Sequence, residues 1–362
     1  MVWIGKALQE RGVETCVLFP ADGERRYEEF LIQCGFPYIR TRLPPLRAAS
    51  RVRANLEFAL DLPMQIRRIV RILHTGAFDL VHANGLTNIA PVVAGILAGK
   101  AVVWHWNDTL TPAWFASLVK PLLRARQCRL VVASQSVWDA YRLAKYRDRY
   151  LGVLPAPVPP AEKEGVSEGV GEIGVRPIIG FVGHLVAKKG ALEFVQTIAR
   201  LNALGTVVTG VMAGGILPGH EAFAEDLRKL IDELGISDKV FLLGYRQDVG
   251  ALMRRFDVLL FPSHSEAAPI AVLQAMSLGV PIVATPVGNV PELFATLRMP
   301  LVAVGDVEAM SAAVCQLLLM DDPMRRSYAA AARNLIADRF STTSVATRHL
   351  DVYQKALTMS RQ

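Results

Sequence analysis

The 362-residue sequence predicts an α/β protein made of two Rossmann-like, doubly wound parallel-sheet domains. Three observations carry that expectation. Short apolar runs of strand length alternate with segments of helical periodicity along the chain, the pattern of parallel strands joined by crossover helices. Polar loops bearing His, Asn, Asp, Lys and Glu follow several of the strands, which puts chemistry where ligands of open α/β sheets bind. A connector over residues 155–176, rich first in proline and then in glycine and glutamate, divides the chain into two parts of domain size.

A hydrophobic share of 52% and a charged share of 20% exclude disorder as the dominant state. The longest uncharged apolar stretch, residues 89–99, carries Pro91 and stops at Lys100, too short to span a bilayer. No basic, then apolar, then small-residue leader opens the chain, so a cytoplasmic location is expected. Cys16, Cys34, Cys128 and Cys315 lie far apart without metal-ligand spacing and are expected to be reduced, mostly buried thiols.

The net charge of +7 divides into +9 over residues 1–160 and −2 over the rest. Its density peaks where Arg40, Arg42, Arg47, Arg51, Arg53, Arg67, Arg68 and Arg71 interleave with Leu43, Leu46, Val52, Leu56, Ile66, Ile69 and Val70. A solvated arginine-rich helix face fits this pattern. So does a surface for an anionic membrane or a phosphate-bearing acceptor. Nucleic acid is not an expected partner, since no recognised binding module is present.

Taken in order, residues 2–11 predict a helix closed by Gly12, followed by a strand at 15–19, a helix at 24–33, a strand at 37–40 and a long basic helical region ending near His74. A strand at 80–81 leads to His82, then come a helix to about Ala98 and a strand at 101–105. A helix at 112–126, a strand at 129–133 and a helix at 136–145 follow. The segment VHANG places His82 and Asn84 after one strand, and WHWNDTLTP places His105, Asn107 and Asp108 after the next. A histidine at a strand end is commonly a structural hydrogen-bonder, and two in neighbouring loops keep a functional role open. Within the connector, Gly169, Gly171 and Gly174 match G-x-G-x-x-G in letters only, because no strand precedes them and no helix follows.

The second half opens with RPIIGFVGHLVAKKG. A strand at 178–182 runs into Gly183 and His184, then Lys188, Lys189 and Gly190 precede a helix at 191–204. Lysine beside a helix start suits a phosphate; a solvated lysine is the plain alternative. A strand at 207–212 ends in Gly214-Gly215, and a helix at 221–234, a strand at 240–243 with Gly244-Tyr245 and a helix at 249–256 follow. Residues 257–292 read DVLLFPSHSEAAPIAVLQAMSLGVPIVATPVGNVPE, predicting a strand at 258–261, a loop with His264 and Glu266, and a helix closed by Gly279 as its C′ residue. A second strand at 281–284 then leads to Gly288-Asn289 and a helix starting near Pro291. Glycine at 288 allows close backbone approach to a ligand, whereas Glu266 fits a helix cap as well as a ligand contact. A strand at 301–304 and helices at 307–320, 322–339 and 342–357 complete the chain.

Residues 257–292 resemble the donor-site signature of the GT-B glycosyltransferases of family 4, the group 1 enzymes, P-S-x-x-E-G-F-G-x-x-x-L-E-A-M-A-x-G-x-P-V-V-A-T-x-x-G-G-x-P-E. The resemblance extends, in its order of features, along nearly the whole chain. It implies a GT-B architecture: two Rossmann-like domains facing a cleft, with an acceptor domain over 1–154, a linker over 155–176, a nucleotide-sugar donor domain over 177–339 and a C-terminal helix over 340–362 crossing back to the first domain. It further implies a retaining, metal-independent glycosyltransferase of polysaccharide or glycolipid assembly. The co-substrate would be a UDP- or GDP-sugar, with no other cofactor, and the acceptor a saccharide or lipid-linked acceptor.

By the same resemblance, Glu266 is the carboxylate that approaches the transferred sugar, and His105 and Asp108 fall in the family's W-H-x-x-D loop near it. Lys189 falls on the diphosphate-holding Lys of G-R-L-x-x-x-K-G. Gly183, Gly214, Tyr245, His264, Ala268, Pro269, Ile270 and Gly288 line the donor. Two residues depart from the pattern: His184 replaces a permanently charged arginine by a titratable ring, and Gln274 replaces the second carboxylate of Glu-x7-Glu by an amide with one fewer acceptor oxygen. The family also begins one strand and one glycine-rich loop earlier than this sequence. These departures keep open an impaired relative that binds a nucleotide sugar or a partner without transferring. Metal is not expected, since the sequence holds no Asp-x-Asp and no His/Cys cluster.

Overall fold

The computed structural model describes residues 2–21, 25–44, 46, 52–109, 111–158 and 176–361. The glycines of the G-x-G-x-x-G match, and Arg47 and Arg51, lie outside the described residues. The chain divides into two compact units, residues 1–157 with 342–362, and residues 158–341.

The first unit runs α1 (Val2–Gln9), β1 (Val17–Pro20), α2 (Arg25–Gln33), β2 (Tyr38–Thr41), α3 (Val52–Thr75), β3 (Leu80–Asn84), α4 (Ile89–Leu97), β4 (Ala101–Trp106), α5 (Ala113–Val119), β5 (Cys128–Val132), α6 (Gln135–Ala140) and β6 (Tyr150–Val153). The parallel strands form two sheets, β1-β2 and β3-β4-β5-β6, rather than the single sheet the sequence suggests. Strand β4 is buried at all six positions, as befits a parallel strand covered on both faces. Period-two alternation puts Trp104 and Trp106 on one side and Val103 and His105 on the other.

Helix α5 is shorter than its periodicity predicts. The chain tightens into a 3₁₀ turn at Lys120–Arg124, where Pro121 lacks the amide that an α-helical continuation needs. The segment after α6 is likewise 3₁₀ over Leu143–Arg149, and the sequence reading missed the short, half-exposed strand β6.

The second unit runs β7 (Ile178–Val182), α7 (Ala191–Ala203), β8 (Thr209–Ala213), α8 (Glu221–Glu233), β9 (Val240–Leu242), α9 (Val249–Met253), β10 (Val258–Phe261), α10 (Ile270–Leu278), β11 (Ile282–Ala284), α11 (Val290–Leu297), α12 (Val307–Leu318) and α13 (Asp322–Phe340). Its five parallel strands take the order β11-β10-β7-β8-β9. Helix α7 buries Ala191, Phe194, Val195, Ile198 and Leu201, an apolar stripe at helical spacing, on one face of this sheet. Helix α10 covers the other with Val272, Leu273, Ala275 and Met276. It ends as a Schellman motif: Gly279 has φ +76°, the Val280 amide donates to the Ala275 carbonyl and the Gly279 amide to that of Met276. The strand expected at 301–304 reduces to one bridge between Leu301 and Ala284.

The last helix, α14 (Thr342–Arg361), belongs to the first unit. It packs Val345 and Ala346 on Ile4 and Leu8 of α1, and Val352 and Ala356 on Val103 and Val131.

Candidate functional site

In the second unit the chain winds outward from β7 through β8 and β9 on one side and through β10 and β11 on the other. The topological switch point therefore lies between β7 and β10, where open α/β sheets hold ligands at the carboxyl ends of their strands. Lys189 sits in the turn Ala187–Lys189 after β7, and Glu266 in the loop after β10. Separated by 77 residues in sequence, they meet here: Lys189 Nζ donates to Glu266 Oε1, with side chains 21% and 15% exposed.

The surrounding loops are tied to one another. Ser263 Oγ donates to Glu266 Oε1 at 3.4 Å, and the buried Thr285 hydroxyl after β11 donates to the Ser263 carbonyl. The His264 amide donates to the Lys188 carbonyl at 2.9 Å, and His264 Nε2 lies 2.6 Å from Glu193 Oε1 in the first turn of α7. Gly190 makes this close approach possible. Its φ is +73°, and a Cβ there would stand 2.1 Å from the Pro262 carbonyl oxygen. A Cβ on Gly214 would lie 1.7 Å from the Gly183 oxygen, so the ends of β7 and β8 touch through backbone alone.

Glu266 does not cap α10. The N-cap there is Pro269, without a side-chain cap, and α11 starts from Asn289 in the same state. First-turn amides of α10 thus remain for an anion, whereas in α11 the Val290 amide donates to the Val287 carbonyl at 3.1 Å and Pro291 has no amide. Ala268 and Pro269 lead into α10, and Ile270 at its start is 47% exposed. Gln274 lies half-buried on α10 beside Gly250 of α9, and His184 is exposed with Nδ1 3.4 Å from the Gly215 carbonyl. Tyr245 is 63% exposed next to Arg246, which holds Asp248 at 2.6 and 2.7 Å. Backbone at Gly288 passes Ala267 so closely that a Cβ would stand 2.6 Å from its oxygen. The sequence reading missed Glu193, Ser263, Thr285 and Asn289. Asn289 is 5% exposed and its buried Oδ1 has no hydrogen-bond partner.

In the first unit, the loops expected to carry His82 and His105 are strand, since β3 extends to Asn84 and β4 to Trp106. His105 and Asp108, grouped by the sequence, have different partners. Asp108 Oδ1 accepts from the Thr111 amide and hydroxyl at 3.2 Å, closing a turn. His105 Nδ1 instead lies 3.4 Å from His82 Nε2. The absence of a histidine cluster holds for the linear sequence only: in space His82, His105 and His349 of α14 each bring a ring nitrogen within 4.8 Å of the others. Burial, then the neighbouring His349, pulls His105 down to about 3. Burial lowers His349 to about 4 and, with the other two rings, holds His82 well below its ordinary value. Tyr353, on the same face of α14, accepts or donates at 2.7 Å to His82 Nδ1, and burial raises its phenol. The spacing 349, 352, 353, 356 was the available signal, a buried stripe on one face of α14.

Two family descriptions match the chain: "Glycosyl transferases group 1" over residues 166–335 and "Glycosyl transferase 4-like domain" over residues 1–148. The chain belongs to the group 1 glycosyltransferases. It is 26% identical to a 2-deoxystreptamine N-acetyl-D-glucosaminyltransferase of Streptomyces fradiae, over 98% of this chain and 89% of that one. An MMP alpha-(1->4)-mannosyltransferase of Mycolicibacterium hassiacum is 29% identical over 80% of this chain and 74% of its own. Among solved structures, HepE of Anabaena in complex with UDP superposes with a TM-score of 0.79 at 19% identity, covering 98% of this chain and 94% of that chain. This group 1 glycosyltransferase thus has the GT-B fold, with the Lys189–Glu266 pair at the switch point of its second unit.

Proposed function

We propose that this glycosyltransferase takes a sugar from a nucleoside-diphosphate sugar held in the second unit and transfers it, with retention of configuration and without a metal at the phosphates, to a saccharide or lipid-linked acceptor. The observation that carries the reading is the convergence of Lys189 and Glu266 at the switch point. Lys189 meets the diphosphate as charge develops on the leaving group, together with first-turn amides of α10. Glu266, held by Ser263, faces the transferred sugar. Gln274 bonds the ribose hydroxyls and His184 assists at the phosphates. A buried, unpartnered Asn289 oxygen supplies an acceptor for a donor hydroxyl. His264, tied to Glu193, orients the loop. Asp108 holds Thr111 on the acceptor side, and His105 acts from within the first unit as a neutral, buried ring. Complexes of HepE with UDP and with UDP-glucose favour UDP over GDP as the nucleotide.

The acceptor side is read as membrane-peripheral at the cytoplasmic face. No helix of the described residues is long and apolar enough to cross a membrane. Helix α3 instead leaves Leu56, Leu60 and Met64 exposed at four-residue spacing, 59%, 74% and 45%, beside exposed Arg53, Arg67 and Arg71.

The test of the function is turnover. Purified protein offered a panel of UDP- and GDP-sugars with saccharide acceptors releases free nucleotide, and Glu266→Gln lowers that rate about a hundredfold or more. Saturable donor binding with no release across the panel would support instead the impaired relative that His184 and Gln274 suggest.

A further inference from the structure

The geometry points to a transition-metal site in the first unit, in which His82, His105 and His349 hold one borderline-soft divalent ion of the zinc class and thereby clip α14 to β3 and β4. Every residue it uses belongs to the first unit, and of the residues given a role in the transfer above it shares only His105, so metal binding and turnover are read separately.

Hydrogen bonding selects the ligand atoms. His349 Nδ1 lies 2.8 Å from the Val345 carbonyl, which only accepts, so this nitrogen carries the proton and Nε2 carries a bare lone pair. That Nε2 is buried and has no hydrogen-bond partner. An orphaned buried acceptor is destabilising, and coordination would satisfy it. His82 Nδ1 is engaged by the Tyr353 hydroxyl at 2.7 Å, leaving its Nε2 turned to His105 Nδ1. The 3.4 Å between those two nitrogens is long for a nitrogen-to-nitrogen hydrogen bond. It equals the edge, about 3.4 Å, of a tetrahedron whose ligands stand about 2.0–2.1 Å from a central ion.

Two of the three rings have the outer contacts that metal-bound imidazoles take, and His105 Nε2 is buried without a hydrogen-bond partner. A backbone carbonyl orients one ring and a phenol another. An all-imidazole set suits zinc, copper, nickel or iron and not magnesium or calcium. The fourth position falls to water, reached along His82, the one ring of the three that is not fully buried. Such an ion joins residues 82 and 105 to residue 349 across the intervening second unit, fastening a helix whose local packing on β3 and β4 otherwise rests on Val352, Tyr353 and Ala356.

The experiment uses the full chain, stripped with a chelator, passed through gel filtration and titrated with Co²⁺ and then Zn²⁺. Expected is one Co²⁺ per chain with visible ligand-field bands, no thiolate charge-transfer band, and displacement by Zn²⁺ with a rise in Tm. His349→Ala abolishes the bands. Tyr353→Phe, which keeps the ring packing, weakens binding by about tenfold or more and serves alone if His349→Ala does not fold. Failure of the wild-type chain to retain an ion, a thiolate band, or unchanged affinity in the folded variant would each overturn the site.

Discussion

Lys189 and Glu266 illustrate how one contact sets the cost of two substitutions. Both side chains are mostly shielded from water, so removing either leaves a charge poorly solvated, by up to about 3 kcal/mol. Lys189→Met and Glu266→Gln are each expected to lower the unfolding midpoint, and the double variant to lose less than the sum of the two. Denaturant melts of the four proteins check this, and strict additivity would show that the pair does not interact. At Gln274 the expectation runs the other way. An added carboxylate makes charge-assisted bonds to a ribose diol, so Gln274→Glu lowers KM for the nucleotide sugar by about three- to tenfold with kcat little changed. Steady-state kinetics test it; a raised KM would place the ribose elsewhere. Lys189 and Glu266 were legible in the sequence as members of a motif. Their contact was not, nor were Glu193 and Thr285, which hold the loops through single bonds that no residue spacing announces.

Helices α3 and α14 put the same amphipathic rule to opposite uses. Helix α3 buries Phe58, Ile69 and Leu73 and turns Leu56, Leu60 and Met64 outward among arginines. Replacing these three exposed residues by serine is expected to reduce sedimentation with anionic vesicles by about tenfold or more without changing Tm, whereas equal binding of wild type and variant would leave the stripe unexplained. Helix α14 buries its stripe, and with it His349. In the metal-free protein the folded values of His105 and His349 lie near 3 and 4, below the unfolded value near 6.5. With folded values depressed, the unfolded chain binds protons first, so stability present above about pH 6.5 drains away as pH falls toward 4. Each such histidine contributes a slope of about 1.4 kcal/mol per pH unit. Chemical denaturation between pH 7 and 4.5 measures that slope, and replacement of His349 by leucine should flatten it by one histidine's share.

At the scale of the whole molecule, the chain leaves its first unit after residue 157 and returns to it at Thr342. Helix α14 covers Ile4, Leu8, Val103 and Val131, and the Met359 carbonyl accepts from the buried Arg129 guanidinium at 2.9 Å. A chain ending at Ser341 is therefore expected to lose the thermal transition of the first unit and to keep that of the second, whose Val158–Phe340 bond remains. Calorimetry on the truncated protein reads this directly, and two unchanged transitions would refute it. The sequence by itself determined the alternation of strands and helices, the polar loops that follow β7, β10 and β11, and a motif shared with the group 1 glycosyltransferases, because periodicity, turn residues and short motifs are local properties of a chain. It overestimated a strand at 301–304 and missed β6, where short segments depend on which neighbour offers a hydrogen-bonding edge. Only the tertiary structure decided that Lys189 touches Glu266 and that three histidines drawn from β3, β4 and α14 share one buried space. Such meetings are set by strand order and helix docking, which act between residues that the chain itself keeps far apart.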